Sequence, residues 1–401
     1  MPDLAAGDKP PLLLYANVPF CNSKCHFCDW VVHVPIGDLR LGPDSPGRRG
    51  HLEALKAQIA AQGPDLAARY RPEIMYWGGG TASILSLAEI EALHGALAAT
   101  FPLGGIAEAT IESSPETLDL AKLRLLRSLG FNRISIGVQS FDDARLRMIG
   151  RAHSAATAES SIGLARQAGF DNINIDLIVG FPDQDLAEVE ATIRRAVELP
   201  VNHFSVYSYR ASQGTVMRRK LDREGARTDL RRQLEAYRLA GSILAEHGFA
   251  EYTFAYFGTP ICLADLSYYQ LKMDWIGFGS GSFSVLGGHI KGYSSGKLHR
   301  YLAGPAEFDY DVPLSDESQA ANFIGHSLTT PEGVSARDFE ERSGLSLWTA
   351  LEFAEVKDYL DQMRQYGTLI TDEDGIRFAR DDIATVFISM NWIESPAPAT
   401  T

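Results

Sequence analysis

The sequence predicts an α/β fold: a parallel sheet, either doubly wound or an incomplete TIM-like (β/α)6 barrel, followed by a small helical, winged-helix-like C-terminal domain. Three observations carry this expectation. Between Leu12 and about Val206, six short apolar runs alternate with stretches whose apolar residues recur at helical intervals. Repeated strand-then-helix units join parallel strands through right-handed crossovers. The unusual glycine, cysteine and polar residues fall at the ends of the runs, where parallel α/β folds gather their ligands.

In chain order, the expected strands are Leu12–Asn17, Glu73–Trp77, Ala109–Glu112, Arg133–Val138, Ile173–Val179 and His203–Tyr207. The stretches His51–Ala61, Leu87–Ala99, Pro115–Leu129, Ala155–Ala168 and Asp185–Leu199 read as helices. A long helix follows at about Asp229–His247, then an aromatic, glycine-rich stretch from Tyr252 to Gly296 that periodicity leaves unresolved. Helices at Gln319–Leu328, Ala336–Ser343 and Thr349–Tyr366 precede a hairpin of Leu369–Ile370 and Ile376–Phe378. The organisation expected is therefore a partial barrel over 1–210, an extension over 211–310 and a C-terminal domain over 311–401.

The chain has 401 residues, 45% of them hydrophobic, enough to bury one large core. Its 37 Lys and Arg stand against 51 Asp and Glu, a formal charge of −14. That balance disfavours nucleic acid and anionic membrane as partners. The opening MPDLAAGDKP has neither a basic nor an apolar leader region, and PLLLYANVPF is too short to span a bilayer. A cytoplasmic monomer is expected. Four cysteines, three of them within eight positions, suit metal ligation better than a disulfide framework.

The three lie in Pro19-Phe20-Cys21-Asn22-Ser23-Lys24-Cys25-His26-Phe27-Cys28, a Cys-x3-Cys-x2-Cys spacing. Three thiolates on one short loop suit an iron–sulfur cubane whose fourth iron stays open. The alternative is a zinc site completed by His26 or His33. Cys262, isolated in the sequence, reads as a small buried residue.

With an aromatic residue before its last cysteine, this motif resembles the radical S-adenosylmethionine (SAM) superfamily. The resemblance is to its HemN-like branch, through Tyr76-Trp77-Gly78-Gly79-Gly80-Thr81, Ile111-Glu112-Ser113-Ser114-Pro115-Glu116, Arg133-Ile134-Ser135-Ile136-Gly137-Val138-Gln139, Gly150-Arg151-Ala152-His153 and Asp176-Leu177-Ile178-Val179-Gly180-Phe181-Pro182. It implies a radical SAM barrel with a [4Fe–4S] cluster on Cys21, Cys25 and Cys28, SAM on the open iron, and a 5′-deoxyadenosyl radical formed by reductive cleavage. It places Gly78, Gly79, Gly80 and Thr81 against the methionyl part of SAM, with the glycine amides donating. Tyr15, Phe27, Glu112, Gln139, Arg151 and Asp176 complete the SAM surround, and Tyr207, with Tyr209 beside it, borders the substrate. His153 is a candidate for proton handling or for capping a helix.

Within the branch, haem chaperones show a His-Asn pair where this chain has Ala264-Asp265, and alanine offers haem no ligand. Coproporphyrinogen dehydrogenases carry a further cysteine where this chain has the apolar wall Trp30-Val31-Val32-His33-Val34. The expectation is accordingly a class C methylase or cyclopropanase using two SAM molecules on an unsaturated or aromatic small molecule. Gly279, Gly281 and Tyr252–Tyr256 would hold the second SAM or the substrate. A reducing partner such as flavodoxin or ferredoxin and a separate methyltransferase-like partner are implied with it. Coproporphyrinogen dehydrogenase and the haem chaperone are the alternatives.

Overall fold

The computed structural model describes residues 9–30, 46–269, 273–294 and 297–390. Strands β1 (Pro11–Val18), β2 (Arg71–Gly79), β3 (Glu108–Ser113), β4 (Arg133–Gln139), β5 (Asn172–Val179) and β6 (His203–Ser208) lie side by side in chain order and run parallel. A doubly wound sheet would reverse its order at a switch point. This one does not, so the sheet is the (β/α)6 partial barrel.

The connections are helices α1 (Pro46–Arg69), α2 (Leu87–Thr100), α3 (Leu120–Ser128), α4 (Asp143–Met148), α5 (Ala155–Gln167) and α6 (Leu186–Val197). Local chemistry sets their starts. Ser86 and Glu89 form a capping box on α2, while Asp119, Asp142, Ser154 and Asp185 each accept a first-turn amide of α3, α4, α5 and α6. The Asp119 cap explains why Pro115–Leu129 is not one helix: a single turn at Pro115–Thr117 precedes it. Helix α1 exceeds the expected His51–Ala61 because Leu52, Leu55, Ile59 and Leu66 continue one buried stripe on both sides of Pro64.

After β6 come α7 (Val216–Glu224), which periodicity missed, and α8 (Leu230–Glu246). The unresolved aromatic stretch is a set of short strands around one helix. β7 (Glu251–Thr253) and β8 (Tyr256–Gly258) form a hairpin on β6; α9 (Leu263–Tyr269) follows. β9 (Asp274–Phe278) then returns to the opposite side and pairs parallel to β1. β10 (Phe283–Leu286), β11 (His289–Gly292) and, beyond α10 (Leu298–Ala303), β12 (Tyr310–Pro313) extend that side antiparallel. Strands of three to five residues are too short for periodicity to register. Among the described residues the sheet is open, with β12 at one edge and β7 at the other.

The C-terminal part holds α11 (Asp316–Ser327), β13 (Val334–Ser335), α12 (Ala336–Ser343), α13 (Leu347–Ala350), α14 (Ala354–Arg364), the hairpin β14 (Leu369–Asp372) and β15 (Gly375–Phe378), and α15 (Arg380–Ser389). The expected Thr349–Tyr366 helix is divided at Leu351–Phe353, where both end residues pack on the core. No described helix is long and apolar enough to cross a membrane.

Behind the sheet, Arg48 of α1 donates through Nε to Glu89 Oε1 at 2.9 Å, and its Nη2 pairs with Oε2; both side chains are buried. Removing one member of a buried pair leaves the other charge unsolvated. Glu89→Ala is expected to cost about 3–5 kcal/mol in denaturant unfolding, since it strands Arg48 and also removes the α2 capping box.

Candidate functional site

The three cysteines sit just beyond the C-terminal end of β1, each half-buried. Contacts to α4, α7 and the apolar group beneath them hold the loop. The His26 amide donates to the Ile149 carbonyl at 2.8 Å, and His26 Nδ1 reaches the Met148 carbonyl at 2.7 Å. The Met217 amide of α7 donates to the His26 carbonyl at 3.0 Å. Phe27 packs on the apolar group of Leu146, Ile149, Ile178, Phe181 and Met217.

Each sulfur meets a donor. Arg151 Nη1 lies 3.3 Å from Cys25 Sγ, Lys24 Nζ 3.9 Å from Cys28 Sγ, and Thr81 Oγ1 3.5 Å from Cys21 Sγ. Burial and neighbouring thiols push Cys21 up to about 11. Burial raises Cys28 against the pull of Lys24. Such thiols ionise when bound iron shares the charge, and the two cations suit an anionic thiolate set. The loop therefore fits a cubane.

A single zinc ion fits less well. Of the two expected fourth ligands, His26 has its Nδ1 committed to the Met148 carbonyl at 2.7 Å. His33 and the rest of the expected apolar wall, Val31–Val34, lie outside the described residues.

The Gly78–Gly80 turn is forced by crowding. A Cβ on Gly80 would stand 2.7 Å from the Phe20 carbonyl oxygen and 2.9 Å from Cys21 Sγ. On Gly79, at φ +110°, it would meet Asn17 Oδ1 at 2.4 Å, and on Gly78 it would meet both Glu112 and the Tyr15 hydroxyl at 3.0 Å. The turn differs from expectation in one respect: its amides are not all free for a ligand. Gly80 donates to the Val18 carbonyl at 2.9 Å and Gly79 to Glu112. It brings a carboxylate and a phenol to the cluster loop in their place.

Glu112 accepts from Tyr76 Oη at 2.8 Å, and Tyr76 stacks on Tyr15 with centroids 5.9 Å apart. Burial raises Glu112 to about 7; the Tyr76 bond opposes this and Asp176 and Asp265 add to it. Asp176, likewise raised by burial, accepts from Ser135 Oγ at 3.2 Å and Asn174 Nδ2 at 2.9 Å. Gln139 ends β4 at φ +69° beside a register shift. A non-glycine residue there stores strain of about 1–3 kcal/mol, a cost typical of ligand-facing positions. Arg151 also bonds Ser114 Oγ at 2.8 Å and the Gly137 carbonyl at 2.7 Å, tying the cysteine loop to β3 and β4.

His153 joins this group through Glu116, which accepts from Ser114 Oγ at 2.6 Å, and the remaining candidates lie elsewhere. His153 is buried, donating through Nε2 to the Val138 carbonyl at 3.1 Å, with Nδ1 3.5 Å from Glu116. It braces the start of α5, whose cap is Ser154. Tyr207 Oη lies 3.3 Å from Tyr256 Oη, near the β8 edge. Tyr209 is buried on Phe181. Gly279, at φ +111°, packs on the backbone of Asn17 and gives its amide to Gln58 Oε1 at 2.9 Å. Gly281, at φ +82°, shares that turn, and Tyr252–Tyr256 is the bend of a hairpin with Ala255 at φ +73°.

Sequence reasoning missed a polar layer at the other end of the strands. Arg133, Glu108 and His203 are buried first residues of β4, β3 and β6. Arg133 Nη2 lies 3.3 Å from His203 Nδ1, and His203 Nε2 is 2.7 Å from Tyr252 Oη. Glu108 accepts the amides of Leu263 and Ala264 at 2.9 and 3.0 Å, capping α9, and Cys262, buried as expected, lies on it at 3.4 Å. Burial raises Asp265 to about 6 against the pull of Arg133. A charged residue opening an apolar run was the available signal.

Comparison with known proteins places this site. A family profile described as Radical SAM superfamily matches residues 18–196. The heme chaperone HemW of Bacillus subtilis (strain 168) is 30% identical over 352 residues, covering 83% of this chain and 87% of that one. The heme chaperone HemW of Haemophilus influenzae (strain Rd) is 30% identical over 91% of this chain and 97% of its own. The oxygen-independent coproporphyrinogen III oxidase of Synechocystis is 35% identical over half of this chain and 42% of its own. Among solved structures, coproporphyrinogen III oxidase (HemN) from Escherichia coli superposes with a TM-score of 0.79 over 95% of this chain and 90% of that one, at 24% identity.

These likenesses overturn the expected class C methylation or cyclopropanation. The two relatives above that match most of the chain in sequence are haem chaperones, while the Synechocystis oxidase matches half of it and the Escherichia coli oxidase shares the fold. The physical reason lies in the residues given the second SAM: Gly279 is explained by strand packing and its amide is taken by Gln58. The separate methyltransferase-like partner falls with that reaction. Ala264 does not set this chain apart from the haem chaperones either, since chains of that name match 83% and 91% of it.

Two expectations follow. Gly80→Ala should lower iron bound per chain after anaerobic reconstitution several-fold, whereas Gly95→Ala, which opens onto empty space, should not; iron and sulfide assays decide. A carboxyl raised in the folded state holds a proton there that the unfolded chain has lost. The Glu112 contribution is thus present below about 4.5 and lost as pH rises through about 7; unfolding free energies across this range should show that fall, and Glu112→Gln should flatten it.

Proposed function

The chain belongs to the HemN-like radical SAM family, and from that premise we propose that it is a tetrapyrrole-handling radical SAM protein of the haem-chaperone kind. The observation that carries the reading is the breadth of the likeness: chains named haem chaperones match 83% and 91% of this one. The family implies a [4Fe–4S] cluster and SAM. Bound there, the cluster would supply the electron that breaks SAM to methionine and a 5′-deoxyadenosyl radical.

The chain's own residues have the following parts in this reading. Cys21, Cys25 and Cys28 hold the cluster, and Arg151 and Lys24 offset its negative charge. Glu112, steadied by Tyr76 and the Gly79 amide, accepts from the methionyl ammonium or the ribose of SAM. Asp176, Gln139 and Tyr15 line the same mouth, and residues 211–310 complete the cavity that takes the tetrapyrrole.

One observation favours a second reading. Ala264 is buried and its amide is fixed on Glu108, so α9 offers haem no imidazole at that point. Oxidation of a coproporphyrinogen, the reaction named for the oxidase relatives, needs no such ligand.

The test is anaerobic reconstitution with iron and sulfide, followed by haem titration and by SAM with dithionite. A saturable Soret shift with micromolar haem, together with 5′-deoxyadenosine, is the expected outcome. A Cys21→Ala, Cys25→Ala, Cys28→Ala variant should lose 5′-deoxyadenosine to background and keep the Soret shift. Conversion of coproporphyrinogen III without a Soret shift selects the second reading, and absence of both signals overturns the proposal.

A further inference from the structure

One stretch runs against the charge of the whole molecule. Residues 216–232, covering α7 and the start of α8, carry seven Arg and Lys against three carboxylates in a chain of net −14. Arg219, Lys220, Arg223, Arg227, Arg231 and Arg232 are all exposed. The inward side of α7 is apolar: Met217 and Leu221 are buried in the same group that receives Phe27 of the cysteine loop. The helix is also bonded to that loop, through the Met217 amide on the His26 carbonyl at 3.0 Å. A second cation stands on the loop itself, with Lys24 Nζ 3.9 Å from Cys28 Sγ. Thus a short basic ridge is braced on the segment between Cys25 and Cys28.

We propose that α7 and the first turn of α8 form the docking ridge for a small acidic protein that donates single electrons to the cluster. The inference rests on reading the loop as a cluster site, and adds where and by what charge the donor is recognised. The step served moves one electron: the donor is oxidised by one, the cluster is reduced by one, and no atom is exchanged. Complementary charge raises encounter rates and fixes orientation more than it adds raw affinity, which suits a partner that must leave after each transfer. The size of the ridge favours a small protein over a nucleic acid. Nine residues at 1.5 Å each make α7 roughly 14 Å long, and the strongly acidic remainder of the chain would repel a continuing phosphate backbone.

The test uses reconstituted holoprotein and an oxidised flavodoxin as probe, with the dissociation constant measured by calorimetry at low and high salt. Lys220→Glu with Arg223→Glu should weaken binding about tenfold or more at low ionic strength, the difference closing above about 0.5 M salt. Arg337→Glu, an exposed reversal on α12, should change nothing. With flavodoxin, its reductase and NADPH, 5′-deoxyadenosine formation from SAM should fall in parallel in the double variant, and with dithionite it should not. An unchanged flavodoxin constant in the double variant overturns the proposal, as does loss of RNA binding with flavodoxin binding intact. Absence of 5′-deoxyadenosine with dithionite in every variant would instead defeat the reading of the cluster site, and the binding measurement would still decide the ridge.

Discussion

The site depends on how closely three strand ends converge on Asn17. Its Nδ2 donates to the Ser280 carbonyl at 2.5 Å, just after β9, and its Oδ1 accepts from Tyr15 Oη at 3.3 Å. Gly79 of β2 and Gly279 after β9 approach it so nearly that a methyl group on either would overlap it. Interiors at crystal-like density cannot absorb such an overlap by compression. The spacing of β9, β1 and β2 is set there, and the cysteine loop, which leaves β1 a few residues later, inherits its starting direction. One buried amide side chain therefore locates the loop that carries the chemistry.

From that point the site divides into two electrostatic regimes. Around the sulfurs Arg151 and Lys24 lie on the thiols, and the carboxylate among them, Asp29, is paired with Arg210, as an anionic ligand set favours. Deeper along the strands the fixed charges are mostly negative: Glu112, Asp176 and Asp265 all have raised affinities for protons, with Arg133 among them.

Much of this was legible in the sequence because strands buried on both faces read as apolar runs, and polar residues within them stand out. Gln139 and Asp176 stand out that way and the three cysteines by their spacing, while the roles given them came from the resemblance to the family. What escaped was of two kinds. Short strands such as β7 and β8 are too brief to show a period, and the layer of Glu108, Arg133 and His203 is built from residues that open three separate runs, whose meeting only the sheet reveals. Subclass was a third failure. Ala264 was given more weight than one position can bear, when the likeness across most of the chain pointed elsewhere.

The open sheet has a consequence for how such a protein changes over time. Among the described residues, strands β1 to β6 pair with each other and meet the rest of the sheet at two seams, β9 on β1 and β8 on β6. Backbone hydrogen bonds across a seam are indifferent to side-chain identity, so the segments beyond them can be lengthened, shortened or exchanged without retuning the radical-forming half. The margins of the sheet are then free to diverge while the cysteine-loop end stays put, as in a tool with a fixed motor and interchangeable heads.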